Sequence, residues 1–337
     1  MRRNRPGALA LGALAALVVL ALISGFASRT RSTSSAPVAS PETLQSRYVD
    51  TVRTVSRSVV EVETPVGLGS GVVFDRKGDI ITNDHVVGSD KRFTVVDSAG
   101  KRYRATLVGA FVPDDLAVIN VANANLPPAA FGDSSKLAAG DIVLAVGNPL
   151  GYQSSVTQGI VSALGRTLTE QNGSALPALI QTSAAINPGN SGGALVNLEG
   201  AVVGIPTLSA IDSETSQLAN SIGFAIPSNT AKAIAAQLIR YGHVVNSGRA
   251  YLGAQIATTL SGDAIVLHVT PKGPAANAGV RAGDIIASID DHAVQSSDDL
   301  AAILANLKPA QKVPLTVRTP NGRSSTLRIT LGQYPAS

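Results

Sequence analysis

The sequence predicts a mostly β protein, built as two folded units behind an apolar N-terminal helix. Three observations predict it. Short β-type runs bounded by Gly, Asp, Asn and Pro recur from Val59 onward, such as 71–74, 93–96, 116–119, 142–146 and 201–205. A helical interval at about Asn229–Tyr241 interrupts them, and fresh strand signals follow it. An uncharged run rich in Ala, Leu, Val and Ile extends from Gly7 to Ser28, directly after Arg2, Arg3 and Arg5.

A chain of 337 residues accommodates two domains and a tail. It contains no Cys, which excludes disulfides, thiolate zinc sites and a thiol nucleophile together. The formal net charge is +4, and the leader carries all of it: Arg2, Arg3, Arg5, Arg29 and Arg31 stand against Glu42 alone. A neutral body leaves no electrostatic footprint for nucleic acid.

The run from Gly7 to Ser28 has about the length that crosses a bilayer as a helix, roughly 20 residues. It has no polar face, which argues against a buried core helix. The arginines before it predict an inside N-terminus, so 1–28 is read as a cytoplasmic basic stub and single-pass transmembrane anchor. A cleaved signal peptide, with Gly25-Phe26-Ala27 as the cut site, is the alternative; the protein would then be secreted or periplasmic. Residues 29–46 read as a flexible linker, its Ser/Thr/Pro/Ala-rich part lacking apolar periodicity.

The body divides into a first unit over 47–228, a connector over 229–248 and a second unit over 249–337. In the connector Ala231, Ile234, Ala235, Leu238 and Ile239 recur at helical spacing, with Ser228 as expected N-cap and Gly242 as stop. The second unit carries strand signals at 264–269, 285–289, 313–317 and 325–331, and one helix near Ser297–Leu307.

The strongest short motif is Gly189-Asn190-Ser191-Gly192-Gly193. Glycines around a Ser permit the tight turn that exposes its hydroxyl and aims N–H groups at one point. A lone Ser is a weak nucleophile until a neighbouring base takes its proton. Of four histidines, His85 ends a strand-like run in the first unit, whereas His243, His268 and His292 lie in the connector or the second unit. A buried carboxylate should orient that base. Asp115 directly precedes the apolar strand Leu116–Ile119; Asp114 is adjacent and chemically equal, so composition leaves the choice open. Gly189–Gly193 also matches Gly-x-Ser-x-Gly. The α/β-hydrolase reading fails, because that fold orders its triad Ser…Asp…His with a helix after the Ser.

Together, the blocks 69–72, 82–87, 115–119, 185–193 and 223–228 resemble the HtrA/Deg family, in its order and spacing from about Arg47 to Leu331. The resemblance implies a chymotrypsin-like double β-barrel and selects Asp115 over Asp114. It implies serine endopeptidase chemistry at His85, Asp115 and Ser191, with the N–H groups of Gly189 and Ser191 as oxyanion hole and no metal or organic cofactor. Ala185, six before the nucleophile, would floor the primary specificity pocket, and Ile205, Pro206 and Thr207 would line it and pair with substrate. The absence of an acid at Ala185 favours a small or medium aliphatic residue there. Family members often carry Asp where this chain has Ser183. In the second unit, 251–254, 274–279 and 282–286 resemble a PDZ domain. Leu252, Gly253 and Ala254 would take a peptide C-terminus, and the helix near Ser297–Leu307 would close the groove with Leu300, Ile303, Leu304 and Leu307. The implied partners are unfolded or misfolded proteins, peptide C-termini, the membrane, and two further copies in a trimer built through the stretch after Tyr48. A non-catalytic chaperone and a scaffold with an inert protease unit are the rival functions.

Overall fold

The structure is a computed structural model that describes residues 41–65, 67–148, 155–169, 175–187, 189–211 and 218–334. The apolar run and the linker up to residue 40 lie outside the described residues. Among the described residues no helix is long and apolar enough to cross a membrane. The described residues from Ser46 onward form one compact unit.

Helix α1 spans Pro41–Val55. Its first six residues, the end of the stretch that reads from sequence as flexible linker, are helical instead. Tyr48, Val52 and Val55 recur at helical spacing and pack against the core, which supplies the tertiary support a short isolated helix lacks.

Twelve strands make two closed barrels. The first contains β1 (Val59–Glu63), β2 (Leu68–Val73), β3 (Asp79–Thr82), β4 (Arg92–Val96), β5 (Arg102–Phe111) and β6 (Leu116–Asn120), in the order β1-β2-β3-β6-β5-β4. The second contains β7 (Ile142–Gly147), β8 (Ser155–Thr169), β9 (Ala175–Thr182), β10 (Ala194–Val196), β11 (Val202–Ile211) and β12 (Leu218–Pro227), in the order β10-β11-β12-β9-β8-β7. Strand periodicity sorts the side chains. Val60, Val73 and Ile80 belong to a cluster made from the first barrel alone. Their neighbours Val59, Val72 and Ile81 belong to a cluster shared by both barrels. Likewise Val143 and Ala145 pack within the second barrel, while Leu144 and Val146 join the shared cluster. Both faces of these strands are therefore buried, which is why they read as continuous apolar runs. Each fully buried Val, Leu or Ile contributes about 1.5–3 kcal/mol of transfer free energy.

Helix α2 is a single turn, Asp84–Val87. Helix α3, Ser228–Tyr241, lays Ala231, Ile234, Ala235 and Leu238 onto the shared cluster. Its N-cap is Pro227, not Ser228. The Ser228 hydroxyl donates instead to the Gly132 carbonyl at 3.0 Å, so tertiary packing takes the group that would have capped the helix. Gly242 ends it at φ 76°.

In the C-terminal unit, β13 (Ala250–Tyr251) pairs with β20 (Gly332–Gln333). A larger sheet runs β14 (Ala254–Thr258), β15 (Ala264–Val269), β16 (Ile285–Ile289), β18 (Lys312–Arg318), β19 (Ser324–Thr330), with β17 (His292–Ala293) beside β16. Helix α4 spans Pro274–Ala278, and helix α5 spans Ser297–Asn306 behind a Ser296 cap that accepts from Asp299 N–H.

Candidate active site

His85 lies in α2, two residues past the buried Asn83 that joins β3 to the turn. Asp115 follows a single 3-10 turn at Val112–Asp114 and enters β6 from the left-handed region, with φ 49° and ψ 46°. Asp tolerates that region better than most residues, at a strain of order 1 kcal/mol. The turn sends the two adjacent carboxylates to different partners. Asp115 meets His85: Nδ1 lies 2.8 Å from Oδ2 and 3.0 Å from Oδ1, and the His85 backbone N–H donates to Oδ1 at 3.0 Å. Asn83 Nδ2 fixes the Asp115 carbonyl at 2.9 Å. Asp114 instead pairs with Arg249 at 3.0 Å.

The Asp115 carboxylate is buried while the imidazole is 43% exposed, so the pair opens to solvent on the histidine side. A carboxylate on Nδ1 holds the proton there and leaves Nε2 as the basic nitrogen.

Ser191 belongs to the loop between β9 and β10. Its hydroxyl donates to the Thr207 carbonyl at 3.0 Å. The Thr207 hydroxyl in turn donates to Asp115 Oδ2 in a short bond. Thr207 thus ties Ser191 and Asp115 to one point of β11. The Ser191 carbonyl accepts from Ser70 N–H at 2.9 Å, and Gly192 N–H donates to the Pro206 carbonyl at 3.0 Å. Gly192 has φ 79°, and a Cβ there would come within 2.2 Å of the Ser70 carbonyl oxygen; only glycine fits.

The residues expected to bind substrate separate. Ala185 is half-buried, and its carbonyl accepts from Thr157 Oγ1 at 2.7 Å and Asn190 Nδ2 at 3.2 Å. Ile205 is fully buried in the shared core, so its side chain does not line a substrate pocket; the alternation along β11 turns it inward. Pro206 is buried and gives its carbonyl to the Ser191 loop. Thr207 stands on Asp115, a role the sequence reading missed. Ser183 accepts from Ile160 N–H at 3.0 Å. Gly189 is buried at φ 105°.

In the C-terminal unit a groove of about 500 Å³ runs between β14 and α5, lined by Leu252, Gly253, Ala254, Leu300 and Leu304 among others. Gly253 takes φ 78°, where a Cβ would meet Pro274 Cδ at 2.9 Å. Of the four apolar residues expected on the helix side, Leu300 and Leu304 line the groove. Ile303 and Leu307 pack into the core.

Comparison with known proteins finds matches for both folded units. Residues 69–205 match the trypsin-like peptidase domain and residues 250–331 the PDZ domain. The chain is 37% identical to serine protease PepD of Mycobacterium tuberculosis, over 98% of its own length and 79% of the relative's. It is 38% identical to serine endoprotease DegS of Escherichia coli, over 85% and 81%. Among solved structures it is similar to the HtrA-type protease AlgW with tripeptide, at TM-score 0.62 and 35% identity, covering 86% of this chain and 97% of that one. The serine endoprotease from Yersinia pestis gives TM-score 0.60 and 36% identity, covering 86% and 98%. The chain belongs to the HtrA/Deg family of serine endoproteases, with one trypsin-like peptidase domain and one PDZ domain.

Proposed function

We propose that this endoprotease works outside the cytoplasmic membrane, anchored by the apolar run Gly7–Ser28, and cleaves unfolded or misfolded chains through an acyl-enzyme on Ser191. The observation that carries the reading is the convergence of His85 and Ser191 on one buried carboxylate, Asp115, the first directly and the second through Thr207.

In this mechanism Ser191 Oγ attacks the peptide carbonyl carbon while His85 Nε2 takes its proton. The C–N bond then breaks as His85 returns that proton to the leaving amine. Water, deprotonated by the same nitrogen, releases the acyl group. Asp115 holds the imidazole tautomer and stabilises the cation. The N–H groups of Gly189 and Ser191 face the developing oxyanion, each worth about 10²–10³ in rate. The Thr207 carbonyl, which holds the Ser191 hydroxyl in the free protein, passes to a substrate N–H. The hydroxyl is then released toward His85.

Ala185 floors the pocket for the residue before the scissile bond and favours a small or medium aliphatic side chain. The PDZ groove takes the C-terminus of a substrate or regulatory peptide, its last apolar side chain between Leu300 and Leu304. A relative named as a probable periplasmic serine endoprotease, DegP-like, in Brucella suis supports the extracytoplasmic placement. Trimer formation through the face around Tyr48 belongs to the same proposal. The test is cleavage of an unfolded protein by the purified full chain beside Ser191→Ala, with sequencing of the product ends. Cleavage by the first alone, after small aliphatic residues, is expected. Equal cleavage by both would overturn it.

A further inference from the structure

We propose that Ser70, on the first barrel, is a positioning residue that holds the oxyanion hole of the second barrel in its donor-inward form. This rests on reading Ser191 as the nucleophile.

Ser70 is fully buried in β2. Its hydroxyl donates to the Gly189 carbonyl at 2.5 Å and accepts from Asn148 N–H at 2.9 Å, which fixes the hydroxyl proton on Gly189. Its backbone N–H donates to the Ser191 carbonyl at 2.9 Å, and its carbonyl accepts from the Thr82 hydroxyl at 2.7 Å. One residue thereby links the strand that leads to His85, the end of β7 and both sides of the nucleophile.

The peptide planes show what this does. The N–H of Ser191 belongs to the plane between Asn190 and Ser191, whose carbonyl accepts from Gly193 N–H at 2.9 Å. The plane before it carries the Gly189 carbonyl, held by the Ser70 side chain. The plane after it carries the Ser191 carbonyl, held by the Ser70 backbone. The second oxyanion donor, the N–H of Gly189, lies across only the φ and ψ bonds of Gly189 from the carbonyl that the Ser70 hydroxyl holds. Gly189 is a glycine at positive φ, so its own backbone offers little resistance to rotation. Without the hydroxyl the buried carbonyl loses its donor, a situation costly enough to drive a buried peptide group toward another partner. The backbone bond from Ser70 N–H survives any substitution at this position except proline. The side-chain half alone is therefore testable.

The experiment compares the full chain with Ser70→Ala, Ser70→Cys and Ser191→Ala, using a peptide substrate and a peptidyl trifluoromethyl ketone. The ketone forms a hemiketal oxyanion on the nucleophile and so reads the hole directly. The expected result for Ser70→Ala is a fall in kcat of about 10–100-fold with KM unchanged within about twofold, less than loss of a whole donor. The ketone's inhibition constant should rise by the same factor, and Ser70→Cys should fall between Ala and wild type. A kcat within about twofold of wild type, or a loss appearing in KM with ketone binding unchanged, would overturn the role. So would failure of both Ser70 variants to fold, which would make Ser70 a residue of the inter-barrel seam alone. Retained cleavage by Ser191→Ala would instead sink the nucleophile reading, whatever Ser70 does.

Discussion

Arg249 and Asp114 form an ion pair of 3.0 Å that joins the start of the PDZ domain to the residue beside Asp115. Both side chains are largely buried, and Arg249 also donates to the Pro113 carbonyl and stacks over Tyr334 at 5.0 Å. Burial raises the Asp114 carboxyl above its ordinary value, with the Arg249 charge and hydrogen bond opposing the rise. Breaking such a pair leaves an uncompensated buried charge. Each single substitution strands the other charge. Arg249→Ala should destabilise by about 3–5 kcal/mol in urea unfolding, more than Asp114→Asn, because the carboxylate it leaves unpaired is the more deeply buried partner, 6% exposed against 19%.

The pH dependence of this carboxyl has a definite sign. Its folded pKa lies above the unfolded value of 3.8. Between the two the folded state binds the extra proton, so stability declines as pH rises through that window. Wild type should therefore gain on Asp114→Asn as pH falls from neutrality toward 3.8. An unchanged difference between the two proteins would remove Asp114 as the source.

Asp133 has the opposite sign. Hydrogen bonds from Asn229 and Ser135 lower its pKa to about 2 from 3.8. Its contribution is complete above 3.8 and is lost as pH falls toward 2. The melting temperature of Asp133→Asn should lie below wild type at pH 6 and approach it near pH 2. Because Asn229 is the second residue of α3, the difference reports how that helix is docked.

Thr207→Val removes the hydroxyl from Asp115 but keeps the backbone carbonyl that meets Ser191. The carboxylate then loses one of its donors while His85 remains. A fall in kcat of about 10–100-fold is expected with folding intact, in the range seen when the partner of an orienting group is removed. Peptide binding to the PDZ groove, followed by fluorescence anisotropy, should be unchanged.

Much of this arrangement was legible in the chain. Glycines around Ser191, a histidine at a strand end and an acid before an apolar strand each announce their chemistry locally. The choice between Asp114 and Asp115 was not legible from composition, because both precede the same strand. A left-handed backbone at Asp115 and a partner at residue 249 decide it. Thr207 and Ser70 were hidden for a related reason. Their hydroxyls act on residues 92 and 119 positions away, and a Thr or Ser in a strand carries no local mark of a distant partner. Helix α1 was missed because Pro, Ser and Thr at its start read as linker, while the apolar stripe that holds it begins only at Tyr48.

If Ser191, His85 and Asp115 act as one unit, the losses from removing its members do not add. Measured on the full chain, kcat/KM for a peptide substrate should fall by at least about 10³-fold in both Ser191→Ala and His85→Ala. The double variant should lose no more than the worse single one. Losses that multiply in the double variant, or near-normal cleavage in either single one, would show that these residues do not work as one catalytic unit.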